Sequence, residues 1–168
     1  MVNAKRGMIL AIGLALALAG PAMAGDGLVV KRVGEQGIFS TAVWAGDTLY
    51  VSGILSDPDV AADKAKATPA AWTSDTKTQS IGALQKIEKI LQEQGLGLGD
   101  CVQLEAFLAG DPAHGDLMDF AGWNAAYLQF FGTSAQPNKP VRATVQVAHL
   151  AAPGALIEVM VTAVRPAK

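Results

Sequence analysis

Two charged residues stand inside runs otherwise suited to burial. Arg142 opens VRATVQVAHL (Val141–Leu150), and Glu158 interrupts LIEVMVTAV (Leu156–Val164). An arginine guanidinium is always charged and can hold a carboxylate with two parallel hydrogen bonds. A glutamate can orient a water or exchange protons where burial tunes its pKa. The plain alternative is an ion pair between the two across a hairpin. Asn124 follows Phe120 by four residues, so it lies on or beside the buried stripe of a helix. Its amide could face a ligand or simply bond to nearby backbone. Tyr127, on the same stripe, suits core or site.

The strong catalytic signatures are absent. The chain has no Walker loop, no G-x-G-x-x-G and no G-x-S-x-G, and Ser52-Gly53 alone forms no motif. His114 reads as a loop residue and His149 as a strand-end residue, and no His or Cys pair has metal-ligand spacing. No metal site is therefore expected. Cys101 is the only cysteine, so no internal disulfide can form. At the start of a buried strand it reads as a small hydrophobe.

The first residues read as a targeting segment. Lys5 and Arg6 precede an apolar run from Met8 to Ala19, followed by Pro21 and the small-x-small ending Ala22-Met23-Ala24. That pattern predicts a signal peptide cleaved after Ala24 and a periplasmic or secreted product, with no membrane association after cleavage. Residues 25–168 then form a single domain of about 144 residues. Loss of Lys5 and Arg6 moves the net charge from −2 to −4. A mildly acidic chain without a basic cluster argues against nucleic acid as a partner. At 51% hydrophobic and 17% charged, the chain can bury a core.

Sequence patterns then place the elements. Leu28-Val29-Val30 could form an edge strand. Phe39–Ala45 and Thr48–Gly53 flank Gly46-Asp47 and read as a hairpin. Ser56–Trp72, with two prolines and no clean period, reads as a loop with at most a turn of helix. Thr73–Gln94 reads as a helix with Ile81, Leu84, Ile87 and Leu91 on one stripe and Gly95 at its end. Residues 101–108 alternate as a strand. Leu117–Phe131 reads as a second helix with Phe120, Trp123, Tyr127 and Phe130 inward. Two strands close the chain. The order β-β-α-β-α-β-β predicts an α+β fold with both helices on one face of the sheet. Strand alternation suggests that Arg142, Gln146 and Glu158 lie on the uncovered face, with the aliphatic rows under the helices. A face that is neither plainly polar nor apolar suits self-association around a polar pocket.

FSTAVWAGDTLYVSG, GLGLGDCVQLEAFL, DLMDFAGWNAAYLQFF and KPVRATVQVAHLAAPGALIEVMVTAV together resemble the RidA/YjgF family of reactive-intermediate imine deaminases. The likeness runs from about Leu28 to Val164. Its most specific parts are P-x-R-x-x-V at Pro140–Val145 and N-x-x-Y-x-x-F-F at Asn124–Phe131. The resemblance implies a chorismate-mutase-like fold and a homotrimer with an active-site cleft at each subunit boundary. It implies hydrolysis of small 2-imino or enamine acids to 2-keto acids and ammonia, without a cofactor. By position, Arg142 matches the arginine that holds the substrate carboxylate, and Glu158 the acid that positions water. Ser52 and Gly53 match the strand lining the cleft, and Asn124 and Tyr127 the helix residues that shape it. Phe39 stands where many active members carry tyrosine, so a hydroxyl that would touch substrate or water is missing. The alternative is a trimeric binder of small carboxylates or keto acids that turns nothing over. Phe39 and the export signal both favour that alternative.

Overall fold

The computed structural model describes residues 27–35 and 37–167. The predicted signal peptide lies outside the described residues. Eight elements follow in order: β1 (Val30–Glu35), β2 (Ser40–Ala45), β3 (Thr48–Ile54), α1 (Thr76–Glu93), β4 (Cys101–Leu108), α2 (Phe120–Tyr127), β5 (Val141–Gln146) and β6 (Ile157–Val164). The fold is α+β as expected, with one strand more than the predicted order. The short apolar run near Val30 extends to Glu35 and pairs along β2 as an edge strand.

The strands form one mixed sheet in the order β1-β2-β3-β6-β4-β5. Gly46, at φ +60°, turns β2 into β3 with Ala45 opposite Thr48. β6 inserts antiparallel between β3 and β4. β5 pairs parallel with β4, which requires a crossover, and α2 supplies it.

One face of the sheet meets the helices. Leu49, Val51, Leu104, Ala106, Leu108, Ile157, Val159 and Val161 bury against Ala83, Leu84, Ile87 and Leu91 of α1 and Trp123 of α2. Ile81 is only half-buried. Three polar residues, Thr76, Gln79 and Ser80, take the first turn of the buried stripe instead. They remain satisfied: Gln79 Nε2 donates to the carbonyls of Ser74 and Gly154, its Oε1 accepts from the N–H of Leu156, and Ser80 Oγ donates to Thr76 O.

Both helices start later than their patterns suggest, for one physical reason. The N–H groups of Thr73 and Ser74 are taken by the Asp59 carboxylate, so α1 begins after Asp75, whose Oδ1 accepts from Thr78 N at 2.7 Å. The Met118 N–H donates to Gln146 Oε1, so α2 begins after Asp119, which caps Gly122 N. α2 also ends early. Beyond Tyr127 the chain tightens into turns that bury Phe131 and leave Phe130 half-buried. Phe120, expected inward, is 45% exposed. The Ser56–Trp72 loop holds its single helical turn at Lys64–Lys66, inside the bridges Val60–Ala71 and Asp63–Thr68.

The Thr78 N–H holds the Asp75 carboxylate below its ordinary pKa. A depressed folded-state pKa means stability that is present above the unfolded pKa and lost as pH falls through the folded one. Asp75→Ala should therefore cost about 1 kcal/mol in urea unfolding at neutral pH, and Asp75→Asn much less. The gap between wild type and Asp75→Ala should narrow below a pH of about 4.

Candidate functional site

Arg142 enters the site from the edge of the sheet. It lies opposite Leu104 in the β4–β5 register, and Thr144 lies opposite Ala106. Leu104 and Ala106 are core residues under the helices, so Arg142 and Thr144 share the helix side of the sheet. The indole Nε1 of Trp123 donates to Thr144 Oγ1 at 3.2 Å and ties α2 to β5 there. The Arg142 guanidinium carbon lies 4.6 Å from the ring centre of Tyr127, 5.7 Å from Trp123 and 5.9 Å from Phe120. Aromatic faces attract a cation without using its N–H donors. Among the described residues no carboxylate pairs with Arg142. Burial lifts the Tyr127 phenol above its ordinary pKa, while the Arg142 charge pulls the other way. Asn124 stands one turn from both Phe120 and Tyr127, half-buried on the α2 face that meets Arg142.

Glu158 belongs to a second cluster. It lies opposite Phe107 in the β4–β6 register, on the uncovered face with Met160 and Thr162. Between Val51 and Ile54 the β3–β6 register shifts, and Ser52 and Gly53 fill the irregularity. A Cβ at Gly53 would collide with the Glu158 carboxylate, so glycine lets that carboxylate lie directly against the strand. Ser52 Oγ donates to Ser40 O at 2.7 Å. This bond places Phe39, the residue before Ser40 and 64% exposed, at the rim of the same region. Glu158 opens on a cavity of about 330 Å³ walled by Phe107, Val147, Leu150 and Met160, with His149 in its lining.

These positions correct two expectations. Arg142 and Gln146 lie on the helix side of the sheet rather than on the uncovered face. The outward row of β5 is the aliphatic one, with Val141 71% and Val145 45% exposed. β5 is an edge strand met by the short α2 and by the loop before it, which hydrogen-bonds Gln146, so its inner row need not be apolar. Nor can Arg142 pair with Glu158 across a hairpin. β4 lies between their strands, and the two side chains leave opposite faces. The expected residues thus form two groups, Arg142 with Tyr127 and Asn124, and Glu158 with Ser52, Gly53 and the neighbouring Phe39. Sequence reasoning missed His149 and Phe107 as neighbours of Glu158. Alternation along the last strand does place Met160 on the face of Glu158.

The loop before α2 gathers residues whose spacing gave no metal signal. Ligand atoms of Asp111, His114 and Asp119 lie within 4.8 Å of one another. Their atoms are already engaged. Asp111 accepts from Ala113 N and from Thr76 Oγ1 and lies 3.2 Å from His114 Nδ1, while Asp119 caps α2. The cluster frames the loop.

The two half-sites, one cationic and one acidic, sit on a six-stranded sheet with a parallel β4–β5 edge. A family model described as Endoribonuclease L-PSP matches residues 30–165. The chain belongs to that family. A RutC family protein of Pyrococcus abyssi is 33% identical over 115 residues, which cover 68% of this chain and 76% of the relative. TdcF of Escherichia coli K12, provisionally named a reactive intermediate deaminase, is 35% identical over 77 residues, covering 46% of this chain and 54% of TdcF. Among solved structures, E. coli TdcF with bound serine is similar at a TM-score of 0.61 and 26% identity, covering 78% of this chain and 91% of that one. A YjgF family member from Neisseria meningitidis shares the fold at a TM-score of 0.62 and 22% identity, covering 84% and 98%.

Cys101 is not part of this chemistry. Burial pushes its thiol up to about 12, and the Asp100 charge adds to the shift. A thiol of this kind stays protonated and inert. The native protein should not react with a disulfide reagent at pH 8, and one equivalent should react once the chain is unfolded. Rapid reaction of the native protein would contradict the burial.

Proposed function

We propose that this protein hydrolyses small 2-imino or enamine acids to 2-keto acids and ammonia, at a site completed between copies of the chain in a homotrimer. One observation carries the reading. Arg142 and Glu158 leave opposite faces of the sheet, and no residue described in the structure forms an ion pair with either. One chain cannot bring both to one small substrate. A neighbouring copy laid with its uncovered face against the β5–α2 edge can. The exposed apolar row Val141 and Val145 and the exposed Tyr50 give such a contact surface to bury. Supporting evidence comes from relatives: TdcF is provisionally named a deaminase, and its structure holds serine, a small carboxylate-bearing amine.

In this mechanism the guanidinium of Arg142 holds the substrate carboxylate, and Asn124 and Tyr127 shape the wall beside it. An enamine substrate first takes a proton at its β-carbon to become the imine. Glu158 of a neighbouring copy accepts a proton from water as the oxygen bonds to the imine carbon. The nitrogen takes up one proton from solvent to give the carbinolamine and a second from Glu158. As the C–N bond breaks, the carbinolamine hydroxyl returns its proton to solvent and becomes the keto oxygen. Ammonia leaves, so one water enters for each ammonia released. The gain comes from positioning and fixed charge. Phe39, exposed beside Ser40, offers an apolar ring without a hydroxyl to substrates that bind near Ser52.

The test uses 2-iminopropionate generated in situ, with its decay followed by trapping. Arg142→Ala and Glu158→Gln should each lose about 10²-fold or more in rate. Mixed trimers refolded from equal parts of the two inactive variants should recover activity at about a quarter of their sites, since some boundaries pair an intact Arg142 with an intact Glu158. Two inactive variants with no recovery on mixing would refute the shared site. Wild-type rates in both would refute the roles of these residues.

We also propose that the protein is exported, on the strength of the Lys5-Arg6, apolar and Ala22-Met23-Ala24 pattern. The mature protein should appear outside the cytoplasm with Gly25 as its first residue by N-terminal sequencing. A cytoplasmic chain starting at Met1 or Val2 would refute export.

A further inference from the structure

The β5 residues that share the face of Arg142 all reach α2 or the loop leading into it. Arg142, Thr144 and Gln146 lie opposite Leu104, Ala106 and Leu108 of β4, which are buried under the helices. Alternation turns the three side chains to the same side. The Arg142 guanidinium meets the rings of Phe120, Trp123 and Tyr127. Thr144 Oγ1 accepts from Trp123 Nε1. Gln146 Oε1 accepts from the Met118 N–H, and its Nε2 donates to the Asp116 carbonyl, both at 2.9 Å.

The Gln146 bonds call for an amide. One backbone partner is a donor and the other an acceptor, so one side-chain tip must offer both functions. Gln146 is exposed, so burial does not hold it there. Its two partners flank Leu117 and stand just before Asp119, the cap of α2. Asp116 adopts φ +62°, a backbone angle uncommon outside glycine. Its carbonyl also packs against Gly110, where a Cβ would collide with it. The turn that starts α2 is thus fixed by Gly110 on one side and by Gln146 on the other.

α2 needs such ties because it is short. It has eight residues, and a helix of under about 12 residues is marginal in water by itself. Phe120, its first residue, is 45% exposed and lies 5.9 Å from the Arg142 guanidinium carbon. With so much of the ring outside the core, its place depends on the turn before it. Gln146 stands four residues beyond Arg142 on β5, about 13 Å along a strand. It cannot touch a small guest held by the guanidinium, so any effect on that guest passes through α2. We propose that Gln146 is a positioning residue for the Arg142 site. It fixes the start of α2, and with it the aromatic wall that holds the guanidinium in place for a carboxylate. This inference rests on Arg142 as the group that binds the carboxylate.

The experiment measures pyruvate binding and 2-iminopropionate turnover in the full protein. Binding is read by calorimetry and by the Trp123 indole N–H signal in ¹⁵N–¹H spectra. Gln146→Met keeps the size of the side chain and loses both bonds. It should raise the pyruvate Kd and the KM severalfold and leave kcat near the wild-type value, because the carboxylate is held alike in substrate and transition state. Gln146→Glu offers a donor only when protonated. Its deficit should shrink as pH falls toward about 4, while that of Gln146→Met should not. Asp75→Ala, which loosens α1 instead, should lower the melting temperature and leave Kd and KM unchanged. Wild-type Kd and KM in Gln146→Met, beside an Arg142→Ala that binds no pyruvate, would overturn the positioning role and leave the reading of Arg142 intact. Equal losses in Gln146→Met and Asp75→Ala would also overturn it, as an effect of stability alone. Wild-type pyruvate binding in Arg142→Ala would refute the reading of Arg142 and this inference with it.

Discussion

The position of β4 between β5 and β6 governs where the charged residues of this sheet point. Alternation along a strand is strict, so the register of these three strands fixes where every side chain on them points. Arg142 opposite Leu104 must look toward the helices, and Glu158 opposite Phe107 must look away from them. No rotamer of either residue undoes that. The two charged groups are held apart by the thickness of their own sheet.

Each half of the site is then prepared by its surroundings. Three aromatic rings from α2 surround the Arg142 guanidinium and leave its donors uncommitted. The irregularity at Ser52-Gly53 clears the space in which the Glu158 carboxylate lies. These are local solutions to different problems. A cation at a sheet edge needs partners that do not neutralise it. A carboxylate on a flat face needs a missing Cβ beneath it. The uncovered face carries exposed aliphatic and aromatic residues, which leave a single chain with surface still to bury.

The helix layer follows a separate logic. The loop after β3 is fastened at the start of α1 by Asp59 and along it by the Asp57–Lys86 pair. The close approach of Ser56 to Gly82 leaves a polar groove on the outer side of α1. Gln79, buried at the head of the same helix, ties α1 to the carbonyl of Gly154 and the N–H of Leu156 in the segment leading into β6. The helix that covers the core is thus pinned by polar bonds at its first turn and by apolar packing along the rest.

Much was legible in the order of residues alone. Periodicity marked both helices and most strands because burial of one stripe or one row leaves a repeat in the chain. Glycine at 46 and 95 announced a turn and a helix end because each adopts a backbone angle other residues avoid. Arg142 and Glu158 could be singled out because charge is conspicuous in an apolar run. Helix starts were misjudged because Asp59 and Gln146, distant in sequence, claim the N–H groups just before them. The face of β5 was misjudged because an aliphatic row looks the same whether it faces a core or a prospective neighbour. Local pattern therefore determined which residues are apolar, which turn and which are charged. Strand order decided the direction of each side chain, because partners in a sheet are chosen by contacts between segments far apart in the chain.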